Sequence, residues 1–306
     1  MAFYAFLMQL NNDTQLSSKD MERMSLISEI GGSMSMVCCV LILSLLCLLP
    51  VRSDGMFITS NMCVVLMAAQ LSFIGAENTG YPDPVMCKIA TCVLHYFFMC
   101  VHFSSFAYAL HLWSKFAPMC LGTCRRRGVY IFTIWLVPGI IVILTAIARG
   151  DQYAQEKRCW LPPEQNTRLA FLLPVFLIQL SNWILYMMII RAGIVLDTTK
   201  GKDKRTIFRH MFLSTLSMFP VFGLQWTIGY AVTFDLATAL QYTFVILASG
   251  QGLLLLLFHV LTNGEIQKAL CTKITDKESG TSSPSRTAQN TVDSHVQSSQ
   301  ASKNEN

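Results

Sequence analysis

Residues 89–114 read IATCVLHYFFMCVHFSSFAYALHLWS, 26 positions without an Asp, Glu, Lys or Arg, closed on either side by Lys88 and Lys115. As a helix, at 1.5 Å per residue, the stretch is longer than the ~30 Å of bilayer hydrocarbon. A soluble helix of that length needs a polar face, and this one has none to offer. It is read as a membrane span. Cutting the rest of the chain at its charged residues leaves six more windows of about 20 residues or longer: 30–51, 55–76, 128–148, 169–190, 210–234 and 236–264.

Seven such windows define an all-α membrane protein, a seven-transmembrane helix bundle. The composition agrees, with 53% hydrophobic and 13% charged residues in 306, where ordinary globular chains carry about 25% charged. Soluble globular and disordered classes are excluded. No segment alternates apolar and polar residues over a strand length, so an outer-membrane barrel is excluded too.

An odd number of spans puts the termini on opposite sides, and basic residues mark the cytoplasmic one. One side carries sixteen of the 23 Lys and Arg, including Arg52, Lys115, Arg125, Arg126, Arg127, Arg191 and the Lys200–Arg209 cluster. The other carries seven, so the N-terminus is extracellular. The net charge of +5 is then accounted for by anionic inner-leaflet lipid and cytosolic protein, with no nucleic acid involved. The chain divides into an extracellular segment (1–26), the span domain (27–262), a cytoplasmic juxtamembrane helix (263–274) and a Ser/Thr-rich tail (275–306) without periodicity, expected to be disordered.

Asn12-Asp13-Thr14 is a glycosylation sequon on the outer side. Of eleven cysteines, Cys87 at the outer start of the third span and Cys159 in the second outer loop both face the oxidising compartment. A disulfide between them is chemically allowed and would tie the loop over the bundle. Cys271, beyond the seventh span, sits where palmitoylation occurs, with a free thiol as the alternative.

The spans carry no Asp or Glu for a proton relay, and the seventh has no Lys for a Schiff base, which argues against pumps, transporters and retinal proteins. His95, His102 and His111 fall on the third span at spacings of seven and nine, without a carboxylate to complete a catalytic zinc site, so neither a metal nor a cofactor is expected. No nucleophilic triad or phosphate loop can be assembled. What remains is a bundle that binds outside and changes shape inside, that is, a receptor.

Specific motifs carry that further. Asn61–Thr79 reads NMCVVLMAAQLSFIGAENT, and Cys87 is followed eight residues later by His95-Tyr96-Phe97-Phe98. His111-Leu112-Trp113 ends the third span, and Arg158-Cys159-Trp160 lies in the second outer loop. Pro220-Val221-Phe222-Gly223-Leu224-Gln225-Trp226 lies in the sixth span, and Gln251-Gly252 precedes Phe258-His259 in the seventh. In this order they resemble the "FLIG", "LLHFFF", "HLY", "CW", "PLLGLTW" and "QG…FHC" elements of adhesion-type G-protein-coupled receptors. The likeness covers residues 1 to about 274.

The resemblance implies a plasma-membrane receptor coupled to a heterotrimeric G protein, with arrestin, membrane lipids and a non-covalently held extracellular fragment as further partners. Such receptors are activated by a tethered peptide of the form T-x-F-A-V-L-M, and Ala2-Phe3-Tyr4-Ala5-Phe6-Leu7-Met8 is similar to it. Tyr4, Phe6, Leu7 and Met8 would be its anchors. Phe98, Trp160, Trp226 and Gln251 would line the pocket that takes them, a helix-in-groove mode, and Pro220 and Gly223 would form the hinge. His111, Leu112, Trp113, Arg125, Arg126 and Arg127 would meet the G protein, and Ser279, Thr281, Ser282, Ser283 and Ser285 would serve arrestin once phosphorylated.

Three positions depart from the family pattern. Ala2 stands where self-cleavage leaves Thr or Ser, with no cleavage domain ahead of it, Tyr108 replaces the usual Glu before "HLY", and Ser104 replaces a Trp. Two alternatives follow: an N-terminus that only anchors in the membrane interface, and a non-signalling scaffold or partner subunit that keeps the fold without its coupling lock.

Overall fold

The computed structural model describes residues 18–49, 53–78, 83–114, 123–154, 159–162, 167, 169–199, 225, 227–228, 238–260, 266–267, 269–273 and 275. Among these the regular secondary structure is all helical, with short non-helical stretches such as 159–162 between elements. Five helices are long and apolar enough to cross a membrane, or six if one bent pair counts as a single span. The sixth window, 210–234, lies outside the described residues apart from Gln225, Thr227 and Ile228.

The first helix, Ser18–Leu48, begins twelve residues before the window at 30 and inside the segment assigned to the extracellular side. Its charged outer turns explain the difference. Arg23 lies 3.9 Å from Asp20, and Asp20 accepts a 2.8 Å hydrogen bond from the Tyr242 hydroxyl on the last span. A helix can carry charges beyond the hydrocarbon, where a cut at charged residues ends it too soon. The second helix runs Asp54–Asn78.

The third helix, Pro84–Trp113, starts with Asp83 as N-cap, accepting from the Val85 amide, and with Pro84 in the first turn, so it too outruns its charge-free window. It is the most central element, with a buried face running from Cys87 to Leu112. The fourth span joins Thr123–Ile131, a π-helical turn at Phe132–Leu136 and Val137–Arg149. Pro138 lacks an N–H and would clash with the carbonyl four residues back, and the widened turn accommodates both problems. A 3-10 turn, Gly150–Tyr153, follows on the outer side. The fifth helix, Leu169–Thr199, runs past Pro174 without ending.

The last span is broken. Thr238–Ser249 and Gln251–Leu257 meet at Gly250 with a bend of 63°, and a π-helical stretch, Leu255–Val260, continues inward. Helical residues 266–267 and 269–273 fall in the stretch read as juxtamembrane helix, where Lys273 Nζ donates to the Leu48 carbonyl at 2.8 Å. The expected hinge residues Pro220 and Gly223 lie outside the described residues.

Polarity is inverted relative to a soluble bundle, because the solvent is lipid. Leu26, Ile30, Val37 and Leu41, spaced along one face of the first helix, are each more than half exposed. The interior holds Ser35, Gln70, His95, His102, Asn182, Gln225 and Gln251. In hydrocarbon these groups are stable only with internal partners, so they turn inward and tie helix to helix.

Candidate functional site

The outer half of the bundle closes on an aromatic cluster. The disulfide Cys87–Cys159 forms between the two cysteines expected on the outer side, with Cα atoms 4.8 Å apart. It holds the loop against the third helix, and Cys159 takes a left-handed backbone with φ of 45°. Trp160 and Leu161 follow directly and are buried in the bundle, 4% and 1% exposed. This part of the loop therefore plugs the bundle.

Trp160 packs edge-on against Phe98 and Phe171, each with ring centroids 5.8 Å away. Phe73 of the second helix adds a third edge contact, 6.3 Å from Phe98. Phe171 is the hub, with His95 and His102 both at 5.9 Å. Edge-to-face pairs of this kind contribute about 0.5–1.5 kcal/mol each beyond their burial. Met24, Leu94, Met99, Val175, Phe244, Val245 and Ala248 close the cluster from the first, third, fifth and last spans.

Two of the four expected pocket residues, Phe98 and Trp160, thus meet in one place. Gln251 lies deeper and donates to Gln225 Oε1 at 2.6 Å, joining the last span to the sixth. Trp226 lies outside the described residues, as do the peptide residues Tyr4, Phe6, Leu7 and Met8 and the sequon Asn12. Phe171, Phe73 and Tyr153 were not singled out from the sequence. A signal existed for Phe171: it opens the buried row Phe171, Val175, Asn182, Tyr186 and Ile189, spaced as one helix face.

The three histidines of the third span serve separate roles. His95 Nδ1 and the Tyr153 hydroxyl share a 2.8 Å hydrogen bond. Burial pushes the Tyr153 phenol above its ordinary value, so it stays protonated at neutral pH. His102 lies against Phe171. His111 is at the inner end, 3.4 Å from the Tyr130 hydroxyl.

A polar belt crosses the middle. Ser35 Oγ accepts from Gln70 Nε2 at 3.1 Å and from the Gly252 amide at 2.8 Å, joining the first, second and last spans. Asn182 Nδ2 donates to Ser105 Oγ at 3.0 Å, joining the fifth to the third. Trp135 Nε1 donates to Asn61 Oδ1 at 3.0 Å, joining the fourth to the second.

On the inner face Asp54 gathers the basic residues of the fourth span. Arg127 Nε donates to Asp54 Oδ1 at 2.9 Å, and an Arg126 guanidinium nitrogen lies 3.8 Å from Oδ2. The Arg127 guanidinium also lies over the Phe57 ring at 5.3 Å. His111 and Leu112 are buried, Trp113 is half-buried against the inner core, and Arg125 is exposed. Of the residues expected to meet a G protein, His111 and Leu112 therefore point into the bundle in this conformation. Tyr108 is buried beside His111, with ring centroids 6.3 Å apart, and the buried Ser104 donates to the Val101 carbonyl. Cys271 is exposed with a free thiol.

Comparison with known proteins agrees with this architecture. The family of 7 transmembrane receptors (Secretin family) matches residues 21–255, and the chain belongs to that family, whose fold is the seven-helix bundle. Adhesion G-protein coupled receptor D1 of Bos taurus is 29% identical over 292 residues, covering 93% of this chain and 32% of that protein. Adhesion G protein-coupled receptor E5 of Homo sapiens is 26% identical over 259 residues, 80% of this chain and 30% of that protein. Adhesion G protein-coupled receptor L1 of Mus musculus is 24% identical over 249 residues, 80% of this chain and 17% of that protein. Within the family the chain is of the adhesion type, a multi-pass receptor of the plasma membrane. It spans about a third or less of the length of these relatives.

Proposed function

We propose that this receptor is switched on by its own N-terminal segment, residues 2–8, which binds at the outer aromatic cluster and shifts the bundle toward a state that activates a heterotrimeric G protein. The observation that carries the reading is the placement of Met24. Only six residues into the first helix, it is fully buried in the same cluster as Phe98, Trp160 and Phe171. Residues 9–17, nine in number, reach about 30 Å when extended, and Met24 lies ~9 Å along the helix from Ser18. The tether is long enough to fold back over the cluster.

Tyr4, Phe6, Leu7 and Met8 supply apolar and aromatic anchors of the kind that such a cluster accepts. In this reading Trp226 is packed by the peptide, and the Gln225–Gln251 hydrogen bond passes the change to the broken last span. Pro220 and Gly223 supply the hinge. The inner face opens around Arg125, Arg126 and Arg127, with release of Arg126 and Arg127 from Asp54 and exposure of the His111-Leu112-Trp113 end of the third helix. The phosphorylated tail recruits arrestin, Asn12 carries glycan, Cys271 carries palmitate, and an extracellular fragment associates without a covalent bond.

Basal G-protein activation in cells tests this, measured across several G-protein families at matched surface level. The full chain is compared with a chain starting after Met8 and with Trp226→Ala. High basal activity that falls in both variants is expected. Equal silence of all three would refute the tethered peptide and favour the scaffold reading.

A further inference from the structure

A shallow groove on the inner half of the fifth helix, about 350 Å³ in volume, is lined by Trp183, Ile184, Met187, Met188 and Arg191. The lining follows from helix geometry. Trp183, Met187 and Arg191 form one row at four-residue spacing, Ile184 and Met188 form the next, and a groove runs between two such rows. Ile184, Met187 and Met188 are 52%, 50% and 39% exposed. On the opposite side of the same turns Asn182, Tyr186 and Ile189 are buried in the bundle. Among the described residues the groove is lined by the fifth helix alone, on the side turned away from the bundle.

Its two ends differ in chemistry. The crossing segment of this helix is Leu169–Ala192, so Arg191 stands at the hydrocarbon edge of the inner leaflet, at headgroup level. Trp183 lies eight residues deeper, about 12 Å along the axis. Between them Met187 and Met188 offer flexible, polarizable side chains that adapt to a chain without fixed shape. Among the described residues no carboxylate lies within ion-pairing distance of Arg191. One cation at headgroup depth above an apolar channel matches an anionic phospholipid, with its phosphate and headgroup charge at Arg191 and the upper part of an acyl chain in the groove.

We propose that residues 183–191 form a binding site for an anionic inner-leaflet phospholipid. The inner leaflet supplies such lipids, and one basic side chain at its surface favours them by ~1 kcal/mol, about fivefold. The site is independent of the N-terminal peptide and of G-protein coupling.

The test uses the full chain in phosphatidylcholine nanodiscs doped with phosphatidylserine or phosphatidylcholine bearing a photoreactive group on the acyl chain, with cross-links mapped to peptides. Labelling of 183–191 is expected to be about fivefold higher with phosphatidylserine. Arg191→Gln should bring the ratio to parity, Arg191→Lys should retain most of it, and ~1 M salt should collapse it in the unmodified protein, where the Debye length is about 3 Å. The salt arm needs no variant, so it holds even where a substitution impairs folding. Parity in the unmodified protein would overturn the proposal by showing ordinary annular lipid. So would a preference that survives Arg191→Gln, which would come from the general basic field, or loss of labelling to equimolar cholesterol, which would make the groove a sterol site.

Discussion

Gly252 is where the last span comes closest to the first. A methyl group added there would collide with the Ser35 carbonyl oxygen and stand 2.6 Å from its hydroxyl and 2.9 Å from its carbonyl carbon. Because the obstacle is helix backbone, no rotamer change relieves it, and Gly252→Ala must push two helices apart. Overpacking of this kind costs about 1–3 kcal/mol. Separation also strains the 2.8 Å bond from the Gly252 amide to Ser35 Oγ, worth about 1 kcal/mol. The sum, about 2–4 kcal/mol, lowers the midpoint of thermal unfolding by on the order of 4–16 °C on the conversion for domains of this size. Gly32→Ala is the control. It lies on the same first helix with nothing within 4 Å of the added carbon, so it gains helix propensity and should hold or raise the midpoint. Thermal unfolding of the detergent-purified receptor, followed with a thiol-reactive dye, reads both. If Gly252→Ala unfolds with Gly32→Ala, the close contact of the first and last spans is not present in the protein, and the argument for the polar belt fails with it.

Phe171→Ala removes the hub of the outer cluster and should cost about 3–5 kcal/mol, seen as a lowered unfolding midpoint; at matched surface level it should also abolish any basal signal that depends on residues 2–8. Cys87→Ser opens a loop closed over a separation of 72 residues, about 4 kcal/mol by chain entropy; Cys159→Ser and reductant on the unmodified protein should give the same midpoint, and the double variant no further loss. Asp54→Asn should weaken the inner ion pairs by about 0.5–1 kcal/mol, given that both arginines are about a third exposed. A double-mutant cycle with Arg127→Gln measures that coupling, and additivity would mean that the pair contributes nothing.

The number and kind of spans were legible because hydrocarbon imposes a length and a charge rule that a sequence either meets or does not. The disulfide was legible because topology left two cysteines on the oxidising side. Helix ends were less so. Glu29 and Lys88 ended the apolar windows without ending the helices, since a helix may continue toward water once the charges beyond the window find partners, as Asp20 does with Tyr242. Phe98 and Trp160 were reachable through family motifs, whereas Phe171 and Tyr153 belong to no motif and acquire a role only when the fifth helix and the outer turn close on His95. Asp54 shows the same gap at the inner face. Its position beside Arg126 and Arg127 across 72 and 73 residues of chain is a product of packing that local pattern does not reveal.

The arrangement also constrains how a signal could cross. The third helix touches both ends, Phe98 in the outer cluster and His111 in the inner one, but it is buried along its length and capped at its start. Bending it would break contacts all along its buried face at once. The last span differs: it is already interrupted at Gly250 by a 63° bend, and the residues on either side are held by others. Ser249 lies against Gly31, the Gly252 amide is held by Ser35, and Gln251 is held by Gln225. Above the break, Phe244, Val245 and Ala248 pack into the outer cluster; below it, Leu255 packs into the inner core. A segment tied at both ends around a preformed break can change angle while keeping most of its burial, at the cost of a few hydrogen bonds worth about 1 kcal/mol each. That makes the seventh span, more than the third, the element through which occupancy of the outer cluster would reach the inner face.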